Sequence, residues 1–194
     1  MFRSRPIASL GVLAVCFCAS TAFALGPPSL ATSSIPSAIN LVGESASGQT
    51  DPEGLFTVTV RDAAGSLIPG CTVEVHFNNI PEMSVGSTQN YPGLSVTCVP
   101  YPVVSATADA NGIARFSISG AVINHLTGPT GCSGTIVAND GSSGQVHLGT
   151  INIAAFDLDG EFGVTTNDVY LWLCDFGRGT SPCWSDFEDR KSVV

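Results

Sequence analysis

Phe56-Thr57-Val58-Thr59-Val60-Arg61-Asp62-Ala63-Ala64-Gly65-Ser66-Leu67-Ile68-Pro69-Gly70-Cys71-Thr72-Val73-Glu74-Val75-His76-Phe77 holds two runs in which apolar and polar side chains alternate. Period-two alternation puts Phe56, Val58 and Val60 on one face of a strand and Val73, Val75 and Phe77 on one face of the next, leaving Thr57, Thr59, Glu74 and His76 to water. Between the runs, Asp62-Ala63-Ala64-Gly65 and Pro69-Gly70 supply turn chemistry, with glycine where the backbone must take positive φ.

The same grammar extends in both directions. Strands are predicted at 38–42, 94–98, 103–108, 113–118, 134–139 and 146–153, with turns at Asp109-Ala110-Asn111-Gly112 and Asp140-Gly141. No helical period interrupts them, so the chain reads as mainly β, an antiparallel β-sandwich over 38–153. Residues 25–37 read as an extended N-terminal arm, and 81–93, rich in Pro, Ser and Gly, as a surface loop.

The first 24 residues read as a signal peptide: Arg3 and Arg5, an apolar run over 7–17 too short to span a bilayer, and the small-x-small site Ala22-Phe23-Ala24. The signal looks bacterial. The protein is expected to be secreted or displayed at the cell surface, with no membrane insertion after cleavage. Val15 before Cys16 is too large for a lipoprotein box, so no lipid anchor is expected.

Loss of Arg3 and Arg5 takes the formal net charge from −9 to −11 and leaves five Lys and Arg against sixteen acids. Such a chain offers no basic track for phosphates, which excludes nucleic acid as an expected partner. Eight of the sixteen acids fall between 157 and 189, so the charge is concentrated in one place.

That place is Asp157-Leu158-Asp159-Gly160-Glu161-Phe162-Gly163-Val164-Thr165-Thr166-Asn167-Asp168. Acids at positions 1, 3, 5 and 12 of a twelve-residue segment match an EF-hand-type loop, in which a chain curls once around a hard dication and offers it oxygens. The predicted Ca²⁺ ligands are Asp157, Asp159, Glu161, the Gly163 carbonyl, Thr165 and Asp168. Phe162 occupies position 6, where the pattern wants glycine, so the turn must be built differently. After the loop, a helix is expected to begin at Asp168, to carry Val169, Trp172, Leu173 and Phe176 as one apolar stripe, and to end at Gly177. The stripe is expected to pack on the sandwich or the loop.

Two resemblances follow from these residues. The strand, Asp-x-x-Gly turn, Pro-Gly and strand unit of 56–77, together with Thr107-Ala108-Asp109-Ala110-Asn111-Gly112-Ile113-Ala114-Arg115-Phe116, is similar to bacterial Ig-like domains of the invasin and intimin type. That implies an Ig-like fold used for display or adhesion and carries no catalytic residues across. The loop with Asp168 at position 12, Val164 at position 8 and a helix behind it resembles the dockerin family, over 154–194. A fainter second copy, Asp186-Phe187-Glu188-Asp189-Arg190-Lys191-Ser192-Val193, starts 29 residues after Asp157 with Arg190 at position 5. It is incomplete and is expected to hold no ion. The resemblance implies a cohesin-like partner.

Five cysteines survive signal cleavage. In an oxidising compartment Cys174 and Cys183, nine residues apart, are placed to form a disulfide, leaving Cys71, Cys98 and Cys132 with one odd thiol among them. For catalysis the chain offers little. His76 beside Glu74, His125 and His147 are isolated, and there is no His-Glu-x-x-His, no Gly-x-Ser-x-Gly and no phosphate-cradling glycine loop. The expectation is therefore a non-enzymatic, secreted calcium-binding protein with an Ig-like domain, for extracellular display, adhesion or assembly. The alternatives are a dockerin-type module docking to a cohesin, or a carbohydrate-binding accessory module using Tyr91 and Tyr101 against a polysaccharide.

Overall fold

Val73 and Val75, the alternating pair of the deciding stretch, lie at the centre of the molecule. The computed structural model describes residues 25–43, 52–78, 80, 83–122, 133–158, 160 and 164–178, the side chains of 172 and 174–178 excepted. The chain is mainly β. Its strands are β1 Ala38–Leu41, β2 Leu55–Thr59, β3 Thr72–His76, β4 Met83–Val85, β5 Ser95–Thr97, β6 Val103–Thr107, β7 Ile113–Ser117, β8 Gly120–Val122, β9 Ser133–Asn139 and β10 Gln145–Ala155, followed by helix α1, Thr166–Arg178.

Six strands form one sheet in the order β1-β10-β9-β3-β6-β5, while β2 pairs with β7 and β4 with β8. Val75 lies between Val104 of β6 and Ile136 of β9, so one face of β3 is walled by aliphatic neighbours on both sides. Val58, Ala114 and Phe116 from β2 and β7, and Met83, Val85 and Val122 from β4 and β8, join that face in a single core. Each fully buried aliphatic or aromatic side chain there contributes roughly 1.5–3 kcal/mol. Across β2 and β7, Phe56 and Phe116 stack with ring centroids 5.0 Å apart and planes 6° from parallel.

The N-terminal arm is fastened down. Pro28 bridges Asp62 and Ser34 bridges Thr59, along the edge of β2, before the chain crosses to pair β1 in parallel with β10. Thr32 Oγ1 donates to the Asp62 carbonyl at 2.6 Å, and the Gly26 amide donates to the Asp62 carboxylate at 3.3 Å. A single stretch of chain thus ties two sheets together.

The segment 81–93, expected to be loop throughout, contributes β4. Met83 and Val85 are buried, and their partner β8 lies more than thirty residues on. Three residues carry too short an alternation to announce a strand without that distant partner. The close approach shows at Gly120, where a Cβ would stand 2.6 Å from the Ser84 carbonyl oxygen.

Three predicted turns are held by aspartates. Asp62 Oδ1 accepts from the Ala64 and Ser66 amides, Asp109 Oδ1 from Asn111 and Ile113, and Asp140 Oδ1 from Ser142 and Ser143. The Ser66 amide foremost holds the Asp62 carboxyl below its ordinary value of 3.8. For Asp109 the Arg115 side chain, 2.6 Å away, leads, and for Asp140 the Ser143 amide. A carboxyl whose folded pKa is depressed contributes stability above its unfolded value, and that contribution is lost as pH falls through the folded one. The melting temperature should therefore hold steady above about pH 5 and fall steadily below about pH 4. Replacing all three aspartates by asparagine should flatten that acid limb. A parent protein whose melting temperature does not change between those conditions and about pH 2 would contradict this account.

Candidate metal centre

The acidic loop grows out of the sheet. β10 runs two residues further than predicted, to Ala155. The Phe156 amide then donates to the Leu41 carbonyl at 3.1 Å, and the Val122 amide to the Asp157 carbonyl at 2.9 Å. Asp157 forms a parallel bridge with Ala121, and Leu158 is buried in the same core as the strands. Position 1 of the loop is therefore set by backbone hydrogen bonds and position 2 by apolar burial.

Two of the predicted acidic ligands turn inward: Asp157 is 0% and Asp168 3% exposed. Asp157 Oδ1 accepts from the Gly160 amide at 2.8 Å, and Gly160 has φ +78°. Glycine at position 4 thus takes a left-handed conformation that a β-carbon would disfavour. Asp168 spans the loop. Its Oδ1 accepts from the Leu158 amide at 2.6 Å, and its Oδ2 from the Thr165 amide at 2.7 Å and Thr165 Oγ1 at 3.2 Å.

Thr165 in turn caps α1. Its Oγ1 accepts from the Asn167 amide at 3.2 Å, and with Asp168 three residues later this is a capping box. The helix consequently starts at Thr166, not at Asp168, and it runs through Gly177 to Arg178. The Thr-x-x-Asp spacing is itself a helix-start signature, two residues ahead of the start that the apolar stripe predicts. Asp168 also sits where the amide dipoles of a helix favour negative charge.

Asp159, Glu161 and Gly163 lie outside the described residues, as do Cys132, Cys183 and the side chain of Cys174, and with them the predicted disulfide. Among the described residues no three His, Cys, Asp or Glu side chains converge on one point. The two inward aspartates nonetheless suit a hard cation. Burying carboxylates is costly unless opposite charge or hydrogen bonds compensate. A carboxylate also has about four acceptor sites, so an oxygen that takes a backbone N–H keeps another lone pair for a metal. The donor set is all oxygen, as calcium requires.

Elsewhere, His76 Nε2 and Glu74 Oε2 are 2.8 Å apart on the outer face of β3, and Gln145 Nε2 donates to the same Glu74 oxygen at 2.9 Å. His147 is exposed on β10 as its alternation predicts, and His125 lies outside the described residues. Among the described residues Cys71 and Cys98 form no disulfide. Burial foremost pushes the Cys71 thiol up to about 11, which keeps it protonated and inert.

The helix stripe does not pack as expected. Val169 is 51% and Leu173 53% exposed, while Leu171 reaches the core instead; the Trp172 and Phe176 side chains lie outside the described residues. No described helix is long and apolar enough to cross a membrane. No protein family, no curated protein and no solved structure matches this chain.

Proposed function

We propose that this is an exported, non-enzymatic calcium-binding protein. In this reading an Ig-like β-sandwich presents a surface for attachment or assembly outside the cell, and a dockerin-like loop and helix behind it holds one calcium ion. The observation that carries it is the pair of buried carboxylates, Asp157 and Asp168, in one loop whose first residues belong to the sheet. Support for the Ig-like part comes from the arm that pairs with β2 before crossing to β10, since a first strand shared between two sheets is a way to close a sandwich.

Asp157, Asp159, Glu161, Thr165 and Asp168, with the Gly163 carbonyl, would hold the ion. A bound dication supplies positive charge where like-charged carboxylates otherwise repel one another. The residues' own task is to fix the loop: Asp168 links the amides of positions 2 and 9, and Thr165 starts the helix. Because Leu158 is a core residue, order in the loop is order in the sandwich.

Calorimetric titration of the mature chain with calcium should show one site. The ion should also raise the melting temperature, by the equivalent of about 2.7 kcal/mol when calcium is a hundredfold above its dissociation constant. Asp157→Ala should abolish both responses. No heat and no thermal shift at millimolar calcium would sink the metal reading.

A second reading, docking of the tail to a cohesin-like protein, is favoured by one observation. Val164, Val169, Tyr170 and Leu173 are each about half exposed or more along the loop and helix, an apolar strip of the kind that marks interaction sites. Co-elution with a cohesin domain, abolished by Leu173→Asp, would select this reading over display alone.

A further inference from the structure

The outward face of β2 and β7 carries a recess that neither the loop nor the core explains. Val58, Ala114 and Phe116 are buried, so the alternation turns Leu55, Thr57 and Arg115 the other way, and Thr57 and Arg115 are paired across the two strands. Tyr91, from the segment between β4 and β5, forms a further wall. Together with the half-buried Phe56 they border an open recess of about 370 Å³, the size of a small-ligand pocket. The lining has two characters. Leu55, 47% exposed, and Tyr91 make it largely apolar, and Arg115 adds a cation held in place by Asp109, 2.6 Å from its Nη1.

A guanidinium has five N–H donors in a rigid fork, so one carboxylate does not exhaust it. An apolar wall with an aromatic ring beside an anchored cation suits a ligand with a C–H face and one negative charge. Polyanions fit poorly, because Arg115 is the one cation among the lining residues and the mature chain carries a net charge of −11 after loss of Arg3 and Arg5. Thr57 adds a hydroxyl for hydrogen bonding. We propose that the recess formed by Leu55, Thr57, Tyr91 and Arg115 binds an acidic sugar, a uronic acid residue of an extracellular glycan. Its ring packs on Tyr91 and Leu55 and its carboxylate lies on Arg115. The proposal rests on the attachment reading for its setting but needs no calcium.

The test is titration of the full mature chain with a galactose trimer in which one unit is galacturonic acid, in EDTA so that no metal bridges ligand and protein, followed by amide chemical shifts. Shifts should centre on 55–57, 91 and 115, with a neutral galactose trimer binding at least tenfold more weakly. Tyr91→Ala and Arg115→Gln should each weaken the acidic trimer at least tenfold. Since Arg115→Gln also removes the partner of Asp109, Leu55→Asp provides a second variant, which repels the carboxylate from an exposed position without touching the core. Equal affinity for the neutral trimer, absence of binding to the parent, or binding that survives Tyr91→Ala and Leu55→Asp would each overturn the proposal. Because the measurement is made without calcium, a failed calcium titration leaves its outcome unaffected.

Discussion

Phe116→Ala should lower the unfolding free energy by about 3–5 kcal/mol. Phe116 is 0% exposed, stacks on Phe56 and joins the side chains of all three sheets. Truncation therefore removes the ring's transfer free energy and leaves a cavity that the surrounding strands fill only in part. Since native proteins hold only about 5–15 kcal/mol in total, the variant should sit near the limit of folding. Urea unfolding with linear extrapolation is the measurement, and the midpoint should drop sharply. Phe56→Ala should cost less, because that ring is only half-buried. The double variant should recover a coupling of about 0.5–1.5 kcal/mol for the stacked pair. A loss below about 1 kcal/mol for Phe116→Ala would mean that β2 and β7 are not packed on the large sheet as described.

Asp168→Ala should cost about 2–3 kcal/mol even with calcium removed. It leaves the Leu158 and Thr165 amides without their carboxylate acceptor. Thr165 is exposed and can turn to water, but Leu158 is buried in the core, and a buried N–H left unsatisfied costs about 1–3 kcal/mol. The capping box is lost as well. Asp168→Asn separates the two tasks of this side chain. It keeps an oxygen acceptor, so in EDTA it should lose less than the alanine variant, yet on the proposed calcium reading, without the negative charge, it should lose most of the thermal shift that the ion gives the parent. If Asp168→Ala unfolds at the same urea concentration as the parent in EDTA, the clamp does not hold the loop. If Asp168→Asn keeps the full calcium response, the carboxylate is not a ligand.

The strands were legible where alternation and turn chemistry agreed. Val73-Glu74-Val75-His76 alternates over a full strand, and Asp62, Asp109 and Asp140 each precede a glycine by one to three residues. The turns form where those pairs stand, with positive φ at Gly65, Gly112 and Gly141. Both signals are local, carried by residues within a few positions of one another. β4 and β8 were not legible, because each is only three residues long and pairs with a partner remote in the chain. The arm over 28–34 was invisible as a pairing segment for the same reason, since its hydrogen bonds go to Thr59, Arg61 and Asp62.

For the loop, acid spacing proposed Asp157 and Asp168 as members of one site, and both turn inward. Spacing did not reveal that Asp168 ties the two ends of the loop through backbone amides, or that Gly160 takes a positive φ. The apolar stripe of α1 misled in a specific way. Period 3.6 says which residues share a face, whereas the direction of that face depends on how the loop hands the chain to the helix. With Asp168 pinned to the Leu158 amide, Leu171 meets the core and Val169 and Leu173 face out.

By itself, the sequence determined the strand-and-turn grammar, the acidic character of the tail and the oxygen-rich side chains at 157–168, because these depend on residue type and short spacing. Tertiary structure alone decided which strands are neighbours, that β1 runs parallel to β10, and that Leu158 is a core residue. It also brought Tyr91 beside Leu55 and Arg115. Those are contacts between residues far apart in the chain, whose closure cost is met only when the whole core forms at once.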